Sequence, residues 1–284
     1  RTVRERFQSA IDGEYVEKPV YAAYDWFAKN RPAVNWEYLF ELGLGLIGHA
    51  NVIRHEHPNF EIIEETKDVN GRVRKDTRII TDRGELSQWH DGEWLQDHFI
   101  KTPEDYRIMA RALEGVKVFT DDSAFFASEK EIGDNGITLG QIQGFGNGRT
   151  PLMVLQIDWV GLEQWSLDLA TELPEMMELL EIMNAIKLEE IRGAARSSAC
   201  QLKLWENLSI ETMGPVVYRK HLVPLYIEIL DILEGHDKRV SVHYDGQLRI
   251  IADDIAELDF DGIDSFTEAP EGNVTLEEAR AWWP

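Results

Sequence analysis

The chain has 284 residues, 43% of them hydrophobic, and its 29 Lys and Arg stand against 52 Asp and Glu, which gives a formal charge of −23. The apolar content suffices for a core and excludes a disordered chain, while the single cysteine, Cys200, excludes a disulfide framework and is typical of a cytoplasmic protein. The negative charge argues against nucleic acid and membrane surfaces as partners, and no apolar run approaches the roughly 20 residues of a bilayer span.

The first 60 residues predict two helices and two strands. Residues 2–12 have the pattern of a short amphipathic helix and lack the apolar segment of a signal peptide. An apolar run at 20–26 has the length of a strand, a helix follows at 35–43, and a Gly-rich apolar strand is predicted at 44–51. Because the chain begins at Arg1 rather than Met, we expect it to be a segment of a longer protein.

Residues 60–90 have a different pattern. Asn70-Gly71 separates two extended runs, and this dipeptide indicates a hairpin because a type I′ turn needs positive φ at both central residues. We therefore predict an antiparallel β excursion at 60–90, inserted into a chain that otherwise alternates strands and helices. Thr102-Pro103 then begins a helix, with Thr as the N-cap and Pro at the first helical position.

From residue 137 onward, strands and helices alternate regularly. With the two early strands this makes six predicted strands, at 20–26, 44–51, 137–145, 201–206, 239–244 and 260–266. Such alternation indicates parallel strands joined by right-handed crossovers. We predict an α/β fold, a single (β/α)₈ TIM barrel over residues 1–284 whose C-terminal βα units are missing. An open doubly wound sheet is the alternative, but no GxGxxG turn follows the first strand.

Polar side chains follow the predicted strands, where a barrel of this kind places its chemistry. As catalytic groups we predict Glu206, Asp25 and Asp264, whose carboxyls follow three different strands. The predicted substrate-binding residues, from the ends of the second, third and fourth strands, are His49, Asn51, Asp158, Trp159 and Asn207. For Glu206 and Asn207, a role as caps of the following segment is an equal alternative.

His243 and Asp245 are the most specific pair of candidate site residues in the sequence. Two residues apart on an extended segment, they share one face and can both point into the barrel mouth. They offer two ligands for Zn²⁺, with a third needed from elsewhere; alternatively, Asp245 orients His243 or caps the next helix. We expect the side chains of His243, Asp245, Glu206 and Asp25 to converge on one cavity. Three acids beside one imidazole then require a bound cation or a protonated carboxyl.

Several short segments, in order and spacing, resemble the uroporphyrinogen decarboxylase superfamily of (β/α)₈ barrels. They are Arg4-Glu5-Arg6-Phe7 with Pro19-Val20, Thr150-Pro151 through Gly161, Leu204-Trp205-Glu206-Asn207, Val242-His243-Tyr244-Asp245-Gly246, Asp261-Gly262-Ile263-Asp264, Ala269-Pro270-Glu271-Gly272 and Leu276-Glu277-Glu278-Ala279-Arg280. The superfamily includes uroporphyrinogen decarboxylases, corrinoid-dependent methyltransferases and cobalamin-independent methionine synthase. The resemblance implies an enzyme acting on a small molecule.

The departures from the family pattern favour its methyltransferase branch. True decarboxylases carry a cationic Arg-Gln-Ala-Gly-Arg motif after the first strand, where this chain has Tyr24-Asp25-Trp26, and a carboxylate there would repel a polyanionic porphyrinogen. The methyltransferase branch has His-x-Cys-Gly at the end of the fifth strand, with His and Cys on zinc. This chain reads His243-Tyr244-Asp245-Gly246, and the oxygen ligand makes zinc a better Lewis acid.

The resemblance thus implies methyl transfer to or from a corrinoid that is carried by a partner protein. The substrate would be of the methoxyl or methylamine type. The resemblance also implies a zinc ion at His243 and Asp245, and we allow for a homodimer. A lyase acting on a tetrapyrrole is the second hypothesis, and its pocket cations would come from Lys29, Arg31, Arg54 and Arg149. The third is a non-catalytic binding protein, in which the strand-end polar groups pair with each other and leave no open pocket.

Overall fold

The computed structural model describes residues 1–144 and 146–283, which form twelve strands and thirteen α-helices. The strands are β1 (Tyr21–Tyr24), β2 (Leu44–Asn51), β3 (Ile53–Glu56), β4 (Glu61–Val69), β5 (Arg72–Ile80), β6 (Glu85–Asp91), β7 (Trp94–Asp97), β8 (Lys117–Thr120), β9 (Gly136–Gln141), β10 (Gln201–Ser209), β11 (Arg239–Asp245) and β12 (Gly262–Asp264). The helices are α1 (Val3–Ile11), α2 (Asp25–Lys29), α3 (Trp36–Glu41), α4 (Pro103–Leu113), α5 (Ser123–Ile132), α6 (Pro151–Val154), α7 (Leu162–Ala170), α8 (Pro174–Ala195), α9 (Ile210–Met213), α10 (Pro215–Val217), α11 (Val223–Leu233), α12 (Ala252–Glu257) and α13 (Leu276–Trp282).

Six parallel strands form the main sheet within the described part of the chain, in the order β1-β2-β9-β10-β11-β12. Their spatial order follows their order in the sequence, with no reversal. A doubly wound sheet would reverse its order at a switch point, whereas a barrel adds each strand beside the last. The predicted α/β barrel architecture is therefore confirmed as a half-barrel, a partial TIM barrel of six strands.

Some predicted element boundaries are wrong for local reasons. The strand predicted at 20–26 ends at Tyr24, because Asp25 begins α2 and pairs with Lys29 one turn later, Oδ2 to Nζ 2.9 Å. The strand predicted at 137–145 is Gly136–Gln141, and residue 145 lies outside the described residues. Pro224 does not break a helix, because it lies in the first turn of α11, directly after a π-helical turn at Tyr218–Leu222.

The predicted excursion is confirmed and is larger than expected. β4 and β5 pair antiparallel, and Asn70 and Gly71 between them have φ of 57° and 80°. β6 and β7 extend this to a four-stranded antiparallel sheet, and β3 pairs with β8 in a separate ribbon. Both sheets are inserted between β2 and β9. Helix α5 packs against these two parallel strands, as the crossover helix of a βαβ unit does.

The main core lies between the outer face of the parallel sheet and the helices. Helix α8 is central to it, since it packs against both α4 and α11. It buries four apolar residues that repeat with the helical period: Met176, Leu179, Leu180 and Met183. On the other side of the sheet, Val3 and Phe7 of α1 pack against Ile137. In the described part of the chain, no helix is both long and apolar enough to span a bilayer.

The pairing of β2 with β9 depends on Gly136, and this gives a test of the fold. A Cβ at this position would overlap the backbone carbonyl of Leu46 on β2. We expect Gly136→Ala to lower the free energy of unfolding by about 2 kcal/mol or more, because backbone atoms cannot move aside cheaply. The measurement is urea unfolding followed by circular dichroism.

Gly262→Ala on β12 is the matched control for this substitution. The atom nearest to its added Cβ is Ser241 Cβ at 3.9 Å, an ordinary van der Waals contact. This variant should stay within about 0.5 kcal/mol of the parent. Equal stability of the two variants would contradict the register of β2 on β9.

Candidate active site at the strand ends

The two faces of β10 divide its polar side chains between two environments. Lys203 and Trp205 lie on the inner face of the half-barrel, with the Lys203 Nζ 3.6 Å from the centroid of the Trp205 ring. Glu206 lies on the opposite, helix-covered face. A bulge interrupts the pairing with β11 between Leu204 and Leu208, and Asn207 within it has a φ of 49°, which asparagine tolerates better than most residues.

Four charged side chains from three strands meet on the inner face, and we call them the strand-end cluster: Lys203, His243, Asp245 and Asp264. The register pairs His243 directly with Asp264. Asp264 Oδ2 lies 2.5 Å from His243 Nδ1 and also accepts a hydrogen bond from Lys203 Nζ. Asp245 Oδ1 lies 3.4 Å from His243 Nε2 and accepts a hydrogen bond from Ser265 Oγ at 2.9 Å.

The cluster is ionised in a balanced way, with two cations and two anions. Burial alone lowers the pKa of His243, but the hydrogen bonds and charges of Asp245 and Asp264 outweigh it and raise that pKa to about 9. Burial raises the pKa of Asp264, but His243 and Lys203 outweigh this effect and lower it to about 2. Burial also lowers the pKa of Lys203, against the opposing effect of Asp264. Two acids, Asp245 and Asp264, thus balance two cations, His243 and Lys203.

Aromatic rings surround the cluster on one side. The Tyr24 and Trp26 rings stack with centroids 4.4 Å apart, and the Trp205 ring lies 5.6 Å from that of His243. His49 lies among them, 4.6 Å from the Trp26 ring and 5.3 Å from the Trp205 ring. Its side chain is only 4% exposed, and its Nε2 has no hydrogen-bond partner among the described residues.

The imidazole of His49 is neutral at physiological pH. Burial lowers the pKa of His49 to about 4, although its hydrogen bond with Asp25 acts in the opposite direction. Asp25 Oδ1 lies 3.4 Å from His49 Nδ1, and Asp25 Oδ2 lies 2.9 Å from Lys29 Nζ. Asp25 therefore lies at the aromatic end of the site, linked to His243 through the His49 and Trp205 rings.

The structure does not bring Glu206 into this site, and the expected convergence is wrong for this residue. Its carboxylate accepts hydrogen bonds from the Thr150 N–H at 3.1 Å and the Thr150 hydroxyl at 2.8 Å. The side chain is fully buried between the sheet and the helices, so it cannot contact a ligand in the barrel mouth. Side chains alternate along a strand, so Glu206 lies on the face opposite to that of its neighbour Trp205, which is on the inner face of the half-barrel. The expected convergence did not take this alternation into account.

Three predicted substrate-binding residues have other partners. Asn51 donates to the carbonyl of Ile53 at 2.8 Å and accepts from the Gln143 N–H at 3.1 Å, so it fixes the loop after β9. Asp158 pairs with Arg149 at 3.1 Å, and burial raises the pKa of this carboxyl against the effect of that arginine. Trp159 is 5% exposed and lines a cavity under the antiparallel sheet.

The donor set does not fit the zinc ion expected at His243 and Asp245. Both imidazole nitrogens lie against carboxylates, Nδ1 against Asp264 and Nε2 against Asp245, so a zinc ion would have to displace a proton from the ring. Within residues 1–144 and 146–283, no group of three or more His, Cys, Asp or Glu side chains is arranged to hold a metal ion. Zinc at His243 and Asp245 stays a prediction.

Lys203 belongs to the strand-end cluster, and the sequence analysis did not single it out. A signal for it was present, since Gln201-Leu202-Lys203-Leu204-Trp205 places one charge in an otherwise apolar strand. A lysine that is 1% exposed in a barrel strand must have an anionic partner. That partner, Asp264, is 61 residues away in the sequence.

No protein-family model matches the chain, and no curated protein matches it. Among solved structures, the chain is similar to a methyltransferase from Methanosarcina mazei, with a TM-score of 0.48 and 12% sequence identity. The similarity covers 92% of this chain and 75% of that one.

The first test of the site concerns the link between Asp264 and His243. We expect Asp264→Asn to move the pKa of His243 from about 9 toward 6.5, because it removes the closer and less exposed of the two carboxylates. Imidazole NMR titration measures this pKa. Asp245→Asn should lower this pKa as well, and the exposed Asp253→Asn is the matched control that should leave it unchanged. An unchanged pKa in Asp264→Asn would contradict the geometry of the pair.

The same link predicts how stability depends on pH. The raised pKa of His243 stabilises the folded chain fully below pH 6.5, and this contribution is lost as the pH rises through about 9. Asp264→Asn should therefore flatten the stability curve between these two pH values. It should also cost about 2 kcal/mol near pH 6, since it leaves the buried ammonium of Lys203 unpaired.

The second test concerns Glu206, whose pKa burial raises to about 7, against the hydrogen bonds of Thr150 and the charges of Lys187 and Arg149. The folded chain holds a proton here that the unfolded chain releases, so stability falls as the pH rises from 4.5 to 7. Glu206→Gln should remove this slope and gain up to about 3 kcal/mol at pH 8. Urea unfolding across this range is the measurement, with the exposed Glu163→Gln as the control. A parent-like slope in Glu206→Gln would refute the prediction.

Proposed function

We propose that the protein is an enzyme of the uroporphyrinogen decarboxylase superfamily that transfers a methyl group from a small methoxyl or methylamine donor. The observation that carries the proposal is the contact between Asp264 and His243 Nδ1 at 2.5 Å, which leaves Nε2 directed toward the half-exposed side chain of Asp245. A carboxylate on one ring nitrogen fixes the orientation of the imidazole, and the other nitrogen is then the one that exchanges protons.

Each member of the strand-end cluster has a part in this chemistry. Protonated His243 gives its Nε2 proton to the oxygen or nitrogen of the donor as the bond to the methyl carbon breaks, so the leaving group departs neutral. Asp264 holds the Nδ1 proton, and Lys203 keeps Asp264 ionised throughout. His243 then regains a proton from water, to which 15% of its side chain is exposed.

The methyl acceptor in this proposal is a corrinoid on a partner protein, which supplies the nucleophile when it is bound. The mouth of the half-barrel offers a surface of the right chemistry for it. Trp26 is 37% exposed and Phe27 is 43% exposed, so flat apolar rings border the site. No charged partner is needed to hold such a contact, since burial of the rings stabilises it.

The aromatic walls also set the class of donor. Tyr24, Trp26 and Trp205 favour a small apolar or methylated group over a polycarboxylate, and Asp25 and Asp245 add negative charge at the rim. Lys203 is committed to Asp264 and does not offer a free cation. The site therefore supports methyl transfer better than decarboxylation of a tetrapyrrole.

A non-catalytic binding protein is the second candidate, and one observation favours it. All four charges of the strand-end cluster pair with one another, as expected of a structural network. The two candidates differ in whether the proton on His243 Nε2 is used. Turnover that depends on His243 distinguishes them.

The test is methylation of free cob(I)alamin by the purified chain under anaerobic conditions, followed by the change in the visible spectrum. Methanol, methylamine, trimethylamine and a methoxyphenol are the donors. We expect at least one donor to give methylcobalamin, and His243→Gln to slow the reaction about 100-fold or more. The exposed His236→Gln is the matched control and should leave the rate unchanged. No methylcobalamin from any donor would refute methyl transfer, and loss of carboxyl groups from uroporphyrinogen would support the lyase instead.

A further inference from the structure

A cavity of about 180 Å³ lies between the antiparallel sheet and helix α4. It shares no residue with the strand-end cluster or its aromatic walls. We propose that this cavity is a second binding site, for a single-ring aromatic molecule that carries a hydroxyl group. The proposal goes beyond the proposed function and does not depend on it.

The walls of the cavity are apolar and come from several elements. Ile62 and Ile79 line it from adjacent strands of the sheet, Met109 and Ala112 from α4, and Trp159 from the π-helical turn after α6. The ion pair of Lys75 with Glu64, Nζ to Oε1 2.6 Å, lies at one end. Aromatic and aliphatic walls of this kind favour a flat apolar ring.

Two buried polar atoms belong to the lining and have no partner among the described residues. They are Oε1 of Gln88 and Nδ1 of His90. The two residues are two positions apart on β6, so their side chains share the face that covers the cavity. A buried polar atom without a hydrogen bond costs about 1–3 kcal/mol, and a ligand that bonds to it recovers this cost.

The chemistry of these atoms selects a hydroxyl group. The amide oxygen of Gln88 accepts a hydrogen bond, and burial lowers the pKa of His90, so that its neutral ring can accept one as well. A hydroxyl donates its hydrogen to one of these two acceptors. Amines that are protonated at neutral pH would have to lose their charge to enter.

The volume selects the size of the ligand. A protein cavity of about 150 Å³ with apolar walls holds a benzene ring, and this one is slightly larger at 180 Å³. The added space suits one or two further non-hydrogen atoms. Phenol therefore matches the cavity in size and in hydrogen bonding.

The experiment is NMR of the full chain with ¹³C-labelled methionine methyl groups, titrated with phenol. Met109 lines the cavity and Met213 lies on α9, so each variant carries its own internal reference. We expect phenol to shift the Met109 methyl signal saturably with a Kd below about 10 mM, and to leave Met213 in place. Toluene is the second probe, since it has the same shape without the hydroxyl.

Two pairs of variants locate the site and test the hydrogen bond. Ala112→Leu should fill the cavity and abolish the phenol-induced shift, while the exposed Ala127→Leu on α5 should preserve it. Gln88→Leu should lower the affinity for phenol relative to toluene about fivefold or more, and the exposed Gln96→Leu should not.

The proposal is overturned if phenol leaves Met109 unshifted in the parent chain, or shifts it equally in Ala112→Leu. An unchanged ratio of phenol to toluene affinity in Gln88→Leu would overturn the assignment of a hydroxyl ligand. If Ala112→Leu does not fold, the comparison of Met109 with Met213 and the Gln88 pair still decide the question.

Discussion

Asp264 links the edge strand β12 to the two preceding strands of the sheet, β10 and β11. Its carboxylate accepts from Lys203 on β10 and lies 2.5 Å from His243 on β11. Burial and the same carboxylate also raise the pKa of Tyr24, which is on β1 at the far edge. The Asp264 side chain, which is on the last strand of the sheet, β12, therefore interacts with the first strand, β1. The sheet must curl for this to happen, and the curl is what turns six parallel strands into half of a barrel.

The Asp264 carboxylate also determines the net charge of the strand-end cluster at the mouth of the half-barrel. Without it, Lys203 would be a buried cation with no partner, and the imidazole of His243 would lose its closest anion. With it, the two Asp residues, the lysine and the histidine form a neutral set on a strand-end surface of a chain whose formal charge is −23. Local neutrality lets the aromatic rings pack around charged groups at small cost.

Much of the fold was readable from the sequence because its signals are local. Asn70-Gly71 specifies its turn by backbone conformation alone, and the apolar face of α8 repeats with the helical period. The candidate site was readable only in part. His243 and Asp245 could be placed together because they share one strand, and Asp264 could be placed at the end of another parallel strand, but its contact with His243 was not predicted. The placement of Glu206 could not be predicted, because strand alternation decides its face and the bulge at Asn207 lies beside it. Partners such as Lys203 and Asp264 are joined only by the fold.

Helix α1 has a consequence for synthesis of the chain. Val3 and Phe7 pack against Ile137, and Arg4 pairs with Glu129 at 2.5 Å, so the first helix of the chain docks on segments made more than a hundred residues later. At about 5–20 residues per second, a ribosome needs roughly 6–26 s to supply them. During that interval the apolar face of α1 has no native surface to cover it, and it is available to chaperones. The residues of α1 are thus made more than a hundred residues before the segments that complete their contacts.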